Sequence, residues 1–251
     1  MSAPAVDVRA LVHAYADGTP ALRGVDLRID AGEAVAIVGA NGAGKSTLLK
    51  HLNGLLLAGS GSVYIEGIAL TRASLADVRR RVGYVFQDAD DQLFMPTVQD
   101  DVAFGPMNLG LAADEAQARV AAALQAVGAA HLALRAPYRL SGGEKRAVAI
   151  AGVLAMAPSI LVLDEPSTGL DPAGRRRLIE LLGRLPQTRI VATHDLGLVL
   201  QSCPRALVLH EGRVVADGTP ARLFADAELL RRCQLEPPYE GLKPGPGPSA
   251  N

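Results

Sequence analysis

The fold is decided by Gly39-Ala40-Asn41-Gly42-Ala43-Gly44-Lys45-Ser46-Thr47, which joins the apolar run 34–38 to the start of a helical pattern. Its glycines let the backbone wrap tightly and point N–H groups inward, and the following helix N-terminus adds partial positive charge. The spacing matches GxxxxGK[ST] in full. The alternative, an ordinary glycine turn, rarely falls between a buried-strand pattern and a helix start. We therefore predict a phosphate cradle, the name used below for residues 39–47.

Two side chains of the phosphate cradle have predicted contacts with a bound nucleoside polyphosphate. Lys45 is placed to reach the β- and γ-phosphates. Ser46, which the pattern makes the first helical residue, is placed to give its hydroxyl to the Mg²⁺ that bridges those phosphates. The predicted helix continues to about Asn53, with leucines on one face.

The composition limits which classes of protein this chain can belong to. With 251 residues, 49% hydrophobic and 20% charged, the chain can bury a core, and one domain with an inserted lobe is expected. The net charge of -1 gives no reason to expect a nucleic-acid partner, and the arginine runs 79–81 and 175–177 are interpreted as solvated helix faces. Cys203 and Cys233 lack disulfide-framework or metal-ligand spacing, which suits a reducing compartment. Residues 1–7 lack a signal-peptide pattern, so export is not expected.

The apolar stretch 147–163 has to be weighed as a membrane span. It is interrupted by Pro158 and falls short of the roughly 18 to 20 residues needed to cross a bilayer. A buried helix, a proline turn and a buried strand at 160–163 explain it better. We therefore predict a chain that is soluble by itself and can still dock on a membrane protein.

Three strand patterns end in polar side chains that can carry chemistry. The strands are predicted at 82–86, 160–163 and 189–193. Gln87 follows the first, Asp164 and Glu165 end the second, and His194 follows the third. Asp164 is placed to hold Mg²⁺ through water, Glu165 to polarise an attacking water, and His194 to hydrogen-bond a γ-phosphate. Carboxyl ends of parallel strands share one edge of a sheet, so we expect these side chains to converge on the phosphate cradle.

Two weaker signals leave alternatives open. Ser141-Gly142-Gly143, just before the helix predicted at 146–156, fits either a second anion-binding helix N-terminus or a plain helix cap. Tyr15 lies in a predicted loop ahead of the phosphate cradle, where a surface packing role and a base-stacking role are both reasonable.

The order of these motifs resembles that of the ATP-binding cassette (ABC) ATPases over about 6–224. The motifs, in chain order, are the phosphate cradle, Gln87, Leu140-Ser141-Gly142-Gly143, Asp164-Glu165-Pro166, Ser167-Thr168-Gly169-Leu170-Asp171 and His194. The resemblance implies ATP hydrolysis with ATP and Mg²⁺ as cofactors. It also implies an α/β P-loop NTPase fold, with a RecA-like core, an antiparallel β subdomain and an inserted α-helical subdomain.

The resemblance further implies domain bounds and a dimer. The ATP-binding domain is expected at 6–236, its helical subdomain at about 88–157, and a Pro/Gly-rich, disordered tail at 237–251. In a head-to-tail dimer, each nucleotide lies between the phosphate cradle of one subunit and Ser141-Gly142-Gly143 of the other. The partner ATPase subunit can be identical or different.

The resemblance also assigns individual roles. Tyr15 is implied to stack on the adenine, and Ser46, Gln87 and Asp164 to bind Mg²⁺. Glu165 is implied to be the general base and His194 the switch that senses the γ-phosphate. Asp171 is implied to communicate across the dimer. Gln87 is also implied to sense the membrane partner. Two residues depart from the common pattern, since Glu144 replaces a frequent glutamine and Ala147 a frequent arginine.

The stretch 87–111 is similar to the energy-coupling-factor branch of these ATPases, and within it to cobalt/nickel importer subunits. That likeness implies a transmembrane coupling subunit, a substrate-binding membrane protein, and a peripheral location on the cytoplasmic face of the membrane. Vitamin importers of the same branch and conventional ABC transporters remain alternatives. Soluble DNA-repair cassettes carry coiled-coil or zinc-finger insertions, for which this sequence has neither a heptad run nor a cysteine cluster. Because the five histidines lack metal-ligand spacing, any metal specificity is expected in a partner.

Overall fold

A computed structural model describes residues 3–238, which divide into two compact units. Within the described residues, the first unit comprises 3–79 and 186–238, and the second comprises Arg80–Leu185. Apart from its first two prolines, the predicted tail at 237–251 lies outside the described residues.

The strands are β1 (Val6–Ala14), β2 (Pro20–Ile29), β3 (Ala34–Val38), β4 (Ser60–Ile65), β5 (Ile68–Ala69), β6 (Val82–Val85), β7 (Ile160–Asp164), β8 (Thr188–Thr193), β9 (Arg205–His210) and β10 (Arg213–Gly218). The helices are α1 (Lys45–Leu52), α2 (Leu75–Arg81), α3 (Val98–Asn108), α4 (Ala113–Ala126), α5 (Gly142–Leu154), α6 (Pro172–Arg184), α7 (Leu196–Ser202), α8 (Pro220–Phe224) and α9 (Ala227–Arg232). Among the described residues, no helix is long and apolar enough to cross a bilayer.

The first unit contains two sheets. One is antiparallel, in the order β2-β1-β4-β5. In the other, β3 is parallel to both β8 and β9, and β10 is antiparallel to β9. Every residue of β3 is buried, as expected of a strand that is covered on both faces. This strand leads directly into the phosphate cradle.

Helix α1 follows the cradle and buries the predicted leucine face of Leu48, Leu49 and Leu52. It begins at Lys45, because Gly44 adopts the left-handed conformation (φ 105°) and is the N-cap. The prediction that Ser46 is the first helical residue is therefore wrong by one position. Ser46 still lies in the first turn of the helix.

The second unit pairs β6 with β7 in parallel and packs α3, α4 and α5 around a separate apolar core. Helix α4, predicted as an exposed helix at 114–127, buries one face, which contains Ala116, Val120 and Leu124. These residues recur at the helical period, so the alanine-rich pattern describes an amphipathic helix. The stretch 147–163 folds as predicted, with α5 ending at Leu154 and β7 beginning at Ile160.

Candidate nucleotide-binding site

The backbone of the phosphate cradle requires its glycines at particular places. Gly42 (φ 80°) and Gly44 (φ 105°) adopt the left-handed conformation, which side chains other than glycine rarely tolerate. A Cβ on Gly39 would lie 2.4 Å from the backbone oxygen of Leu209, which is shorter than any real contact. The loop is further held by the N–H of Gly212, which donates to the carbonyl of Ala43 at 3.0 Å. The cradle is thus a tight turn in which Gly39 and Gly44 leave no room for a side chain, while Gly42 is required by its backbone conformation alone.

Lys45 lies inside this turn. Only 6% of the residue is exposed, and its Nζ donates to the carbonyl oxygens of Gly39 (2.8 Å) and Ala40 (3.2 Å). The ammonium group therefore lies over the loop that the sequence predicts for phosphate binding. A compact cation with three donors is suited to exchange such carbonyl contacts for phosphate oxygens.

Tyr15 and His194 are the other predicted residues in the first unit. The Tyr15 hydroxyl lies 2.7 Å from Thr47 Oγ1 at the far end of the cradle, while 42% of the residue is exposed. His194 is exposed and directly follows β8. Since β3 and β8 are parallel, with Val38 opposite Thr193, the cradle and His194 leave the same edge of this sheet. Their predicted convergence is confirmed within the unit.

The second unit brings together the acidic pair and Gln87. Strands β6 and β7 are parallel, with Val85 opposite Leu163, so the residues that follow them leave one edge. Asp164 ends β7, and its Oδ2 accepts a hydrogen bond of 2.8 Å from the Tyr84 hydroxyl. Glu165 is buried and has a left-handed backbone (φ 44°), a conformation that costs a non-glycine residue about 1–3 kcal/mol.

The Gln87 segment is held by side chains that the sequence analysis did not single out. Arg146 on α5 is buried and donates to the carbonyl oxygens of Phe86 (2.6 Å) and Gln87 (2.5 Å). Gln92 donates to the carbonyl of Ala149 on the same helix at 2.7 Å. Burial lowers the pKa of the Arg146 guanidinium, and the acidic side chains of Asp88 and Asp164 partly compensate. The segment after β6 is therefore fastened to α5 at two points.

The Ser-Gly-Gly stretch caps a helix. Helix α5 begins at Gly142, with Ser141 as N-cap, so the prediction that both glycines precede a helix starting at 146 is wrong. Small residues after a strong N-cap extend the helix when a capping box satisfies its first N–H groups. Here Glu144 Oε2 accepts from both the backbone N and the Oγ of Ser141 at 2.8 Å, and these bonds lower the pKa of the Glu144 carboxyl. Asp171 likewise caps α6 by accepting from the Gly174 N–H at 2.6 Å.

Each unit, taken by itself, contains donors that suit part of the predicted ligand. In the first unit, a glycine turn with a buried lysine suits a polyphosphate. The Ser46 hydroxyl in the first unit, and the Asp164 carboxyl and the Gln87 amide oxygen in the second, are hard oxygen donors of the kind that Mg²⁺ prefers. The family model of ABC transporters matches residues 22–168. The chain belongs to this family.

Individual relatives agree with that assignment. This ABC ATPase is 50% identical over 238 residues to the energy-coupling factor transporter ATP-binding protein EcfA of Methanothermobacter thermautotrophicus, covering 93% of this chain and 76% of that protein. Among solved structures, it is similar to cbiO1 of Clostridium perfringens, a part of the ABC transporter complex cbiONQ. The TM-score is 0.80, with 42% identity and coverage of 92% of this chain and 94% of cbiO1.

A third relative shows the fold with products bound. The ATP-binding cassette MJ0796, solved as a dimer with ADP and Pi, has a TM-score of 0.77 and 30% identity, covering 86% of this chain and 98% of that one. This ABC ATPase therefore has the P-loop NTPase fold of ABC cassettes and is an ABC-type ATPase that binds ATP.

The cradle of this ABC ATPase gives a stability prediction at Gly39. Gly39→Ala is expected to lower the free energy of unfolding by about 1–3 kcal/mol, because the new Cβ must displace the Leu209 backbone. Urea unfolding measures the change. The matched control is Gly183→Ala in α6, where the added Cβ meets nothing within 4 Å and is expected to be neutral or to stabilise by about 0.5–1 kcal/mol. Equal effects of the two substitutions would contradict the close approach at Gly39.

A second prediction concerns the hydroxyl of Tyr84. Tyr84→Phe removes the donor to Asp164 and is expected to lower the free energy of unfolding by about 1–3 kcal/mol, since a buried carboxyl group loses a partner. The matched control is Tyr64→Phe, whose ring packs against the Arg9 guanidinium and should lose less than about 0.5 kcal/mol. A loss no greater than that of the control would mean that the Tyr84–Asp164 bond contributes nothing to stability.

Proposed function

We propose that this chain is the ATP-binding and hydrolysing subunit of an energy-coupling-factor importer that takes up cobalt or nickel ions across the cytoplasmic membrane. The observation that carries the proposal is the 50% identity to an EcfA protein along 93% of the chain. The resemblance of the stretch 87–111 to cobalt/nickel importer subunits and the likeness to cbiO1 support the finer assignment.

ATP is the substrate of the proposed reaction, and residues of both units have parts in it. Lys45 and the backbone N–H groups of the phosphate cradle hold the β- and γ-phosphates. Ser46, Gln87 and Asp164 would hold Mg²⁺, which neutralises charge that develops on the phosphate oxygens. The aromatic ring of Tyr15 stacks on the adenine.

The chemical step rests on two further side chains. Glu165 accepts a proton from the water that attacks the γ-phosphorus, and the bond from that phosphorus to the bridging oxygen of ADP breaks. His194 donates a hydrogen bond to the γ-phosphate. Because ADP lacks this phosphate, the hydrogen bond forms with ATP and not with ADP. Glu165 is buried, and this position limits the solvent around the carboxylate that acts as the proposed base.

We propose that a second ATPase subunit completes the site, with Ser141, Gly142 and Gly143 contacting the nucleotide held by the partner and Asp171 communicating across the interface. The dimeric state of MJ0796 supports this part of the proposal. The N-terminus of α5 is suited to the task, because the partial positive charge of a helix N-terminus favours an anion.

The proposed surface for the membrane partner lies at the start of α3. The rings of Phe94 and Phe104 meet edge to face at 5.0 Å, and 63% and 43% of these residues are exposed. Asp101 fixes the turn that carries Phe94, because its Oδ1 accepts from the N–H groups of Phe94 and Met95 at 3.0 Å. An exposed aromatic pair on a rigid turn suits docking to an apolar partner.

Co-purification tests the proposal. The tagged chain is expressed in its native host, membranes are solubilised gently, and associated proteins are identified. Recovery of one transmembrane coupling subunit with a different small membrane protein is expected, and uptake of labelled Co²⁺ or Ni²⁺ should require that pair. Recovery of a paired permease would instead indicate a conventional transporter, and uptake of a vitamin would replace the metal assignment.

The docking surface has its own control. Phe94→Ser combined with Phe104→Ser is expected to abolish recovery of the coupling subunit without changing ATP binding by the isolated chain. The matched control is Leu134→Ser, at a residue that is 78% exposed elsewhere in the same unit. Loss of the partner with the control, or retention with the double variant, would remove this surface from the proposal.

A further inference from the structure

Four residues of the first unit form a closed set of contacts beside the phosphate cradle, three of them through side chains alone and Thr47 through both its side chain and its backbone carbonyl. The Tyr15 hydroxyl lies 2.7 Å from Thr47 Oγ1, and His51 Nδ1 lies 2.8 Å from the Thr47 carbonyl oxygen. The His13 side chain lies between Tyr15 and His51 and contacts both. It meets Tyr15 edge to face at 5.2 Å and His51 at 4.7 Å between ring centroids. We call these four residues the His–Tyr ring.

The state of His51 follows from its partner. The Thr47 carbonyl can only accept, so Nδ1 of His51 carries the proton and donates it. The residue is fully buried, and burial, the largest influence, lowers the pKa of its imidazole. His51 is therefore neutral near pH 7, and an uncharged ring can pack against the ring of His13 without repulsion.

Stability alone does not explain histidine at position 13. The Nε2 atom of His13 is buried and has no hydrogen-bond partner among the described residues. Burial of an unsatisfied polar atom costs about 1–3 kcal/mol, a cost that a leucine of similar size would avoid. An imidazole at this position therefore requires an explanation other than apolar packing.

The contact between His13 and Tyr15 provides that explanation. The backbone of Tyr15 is fixed by a turn, in which its N–H donates to Thr19 and its carbonyl accepts from Gly18. The ring itself is half exposed, and it is contacted at the hydroxyl by Thr47 and at its face or edge by His13. Without these contacts the ring could rotate about both of its side-chain torsions, and a bound base would have to order it.

We infer that His13 and His51 are positioning residues for base recognition, which hold the Tyr15 ring ready to stack on the purine. His13 acts on the ring directly, and His51 acts through Thr47. This inference rests on the proposed adenine-stacking role of Tyr15. It also connects base and phosphate recognition, because Thr47 belongs both to the His–Tyr ring and to the phosphate cradle.

The test separates base binding from phosphate binding. Calorimetry with the full chain measures affinities for Mg²⁺-ADP and for Mg²⁺-diphosphate, and the ratio of the two isolates the contribution of the nucleoside. His13→Leu and His51→Leu are expected to weaken ADP binding by about 3- to 10-fold while diphosphate binding changes by less than about 2-fold. The matched control, His131→Leu at an exposed position in the second unit, should change neither affinity.

Rescue and a double-mutant cycle distinguish positioning from loss of packing. His51→Asn keeps an N–H donor near the place of Nδ1 and is expected to restore most of the ADP affinity lost in His51→Leu. In a Tyr15→Ala background, His13→Leu should have no further effect on the ratio, because the ring that it positions is gone. Additive losses would overturn the inference.

The outcomes also separate this inference from the proposed function. If Tyr15→Ala leaves ADP affinity unchanged, the stacking role and the inference are both wrong. If Tyr15→Ala weakens ADP binding about 10-fold while the histidine variants bind ADP normally, only the inference is wrong. Equal losses of affinity for ADP and for diphosphate in the histidine variants would mean that the histidines support the phosphate cradle. That result would overturn the inference. Should His51→Leu fail to fold, His13→Leu carries the same test.

Discussion

Glu165→Gln is expected to lower steady-state ATP hydrolysis by about 10²- to 10⁴-fold, which is the contribution typical of a positioned general base. Glutamine has nearly the same shape and can keep the hydrogen-bonding geometry of this buried side chain, but it cannot accept a proton from water. ATP affinity should therefore stay within about 3-fold of the wild type. Phosphate release measures turnover, and equilibrium binding of Mg²⁺-ATP measures affinity.

The control for this substitution is Glu211→Gln. Glu211 has the same left-handed backbone (φ 46°) and lies in the exposed turn between β9 and β10, so the variant repeats the chemical change and the backbone setting. Its turnover should equal that of the wild type. Near-normal hydrolysis by Glu165→Gln would remove Glu165 from the role of base, whatever the control shows.

The second large effect is expected at Lys45. Lys45→Ala should weaken binding of Mg²⁺-ATP by about 10- to 100-fold, because a hydrogen bond to a charged group contributes about 1.5–3 kcal/mol and none of the neighbouring side chains of α1 can replace the ammonium. Calorimetry measures the affinity directly. Hydrolysis should fall with it, since the proposed partners of Lys45 are the phosphates that react.

Lys50→Ala is the matched control, because Lys50 lies in the last turn of the same helix. Its removal should cost no more than about 0.5 kcal/mol of stability and leave ATP affinity unchanged. Unchanged affinity in Lys45→Ala would contradict the assignment of residues 39–47 as a phosphate cradle.

The parts of the site that the sequence predicts are those set by local chain geometry. The phosphate cradle follows from residue spacing alone, because left-handed glycines and a helix N-terminus act over a few residues. The edge shared by His194 and the cradle follows from one rule about parallel strands, and the register of Val38 and Thr193 confirms it.

The parts that the sequence does not predict depend on pairs far apart in the chain. Tyr84 belongs to an apolar strand pattern, and only the folded structure shows that its hydroxyl meets Asp164, 80 residues away. A buried tyrosine hydroxyl needs a partner, which is the signal that could have prompted a search among nearby strand ends. Arg146 was likewise missed, because its partners are backbone carbonyls, which carry no sequence signature.

Helix starts show a third kind of limit. Gly44 and Ser141 are both N-caps, yet the predicted starts of α1 and α5 were one and four residues too late. Glycine has a low helix propensity, yet Gly142 and Gly143 are helical here, because the capping box of Ser141 and Glu144 satisfies the N–H groups of both its members. Capping outweighs propensity when both partners of the box are present.

At Glu165, the left-handed backbone creates a trade-off between the stability of the fold and the proposed activity. Glycine adopts this conformation without strain, so Glu165→Gly would relieve about 1–3 kcal/mol of backbone energy and at the same time delete the carboxylate. If Glu165 is the proposed base, selection of random variants for thermal stability would tend to favour Glu165→Gly chains that no longer hydrolyse ATP. A designer who wants a rugged, nucleotide-trapping form of the protein could make the same exchange on purpose.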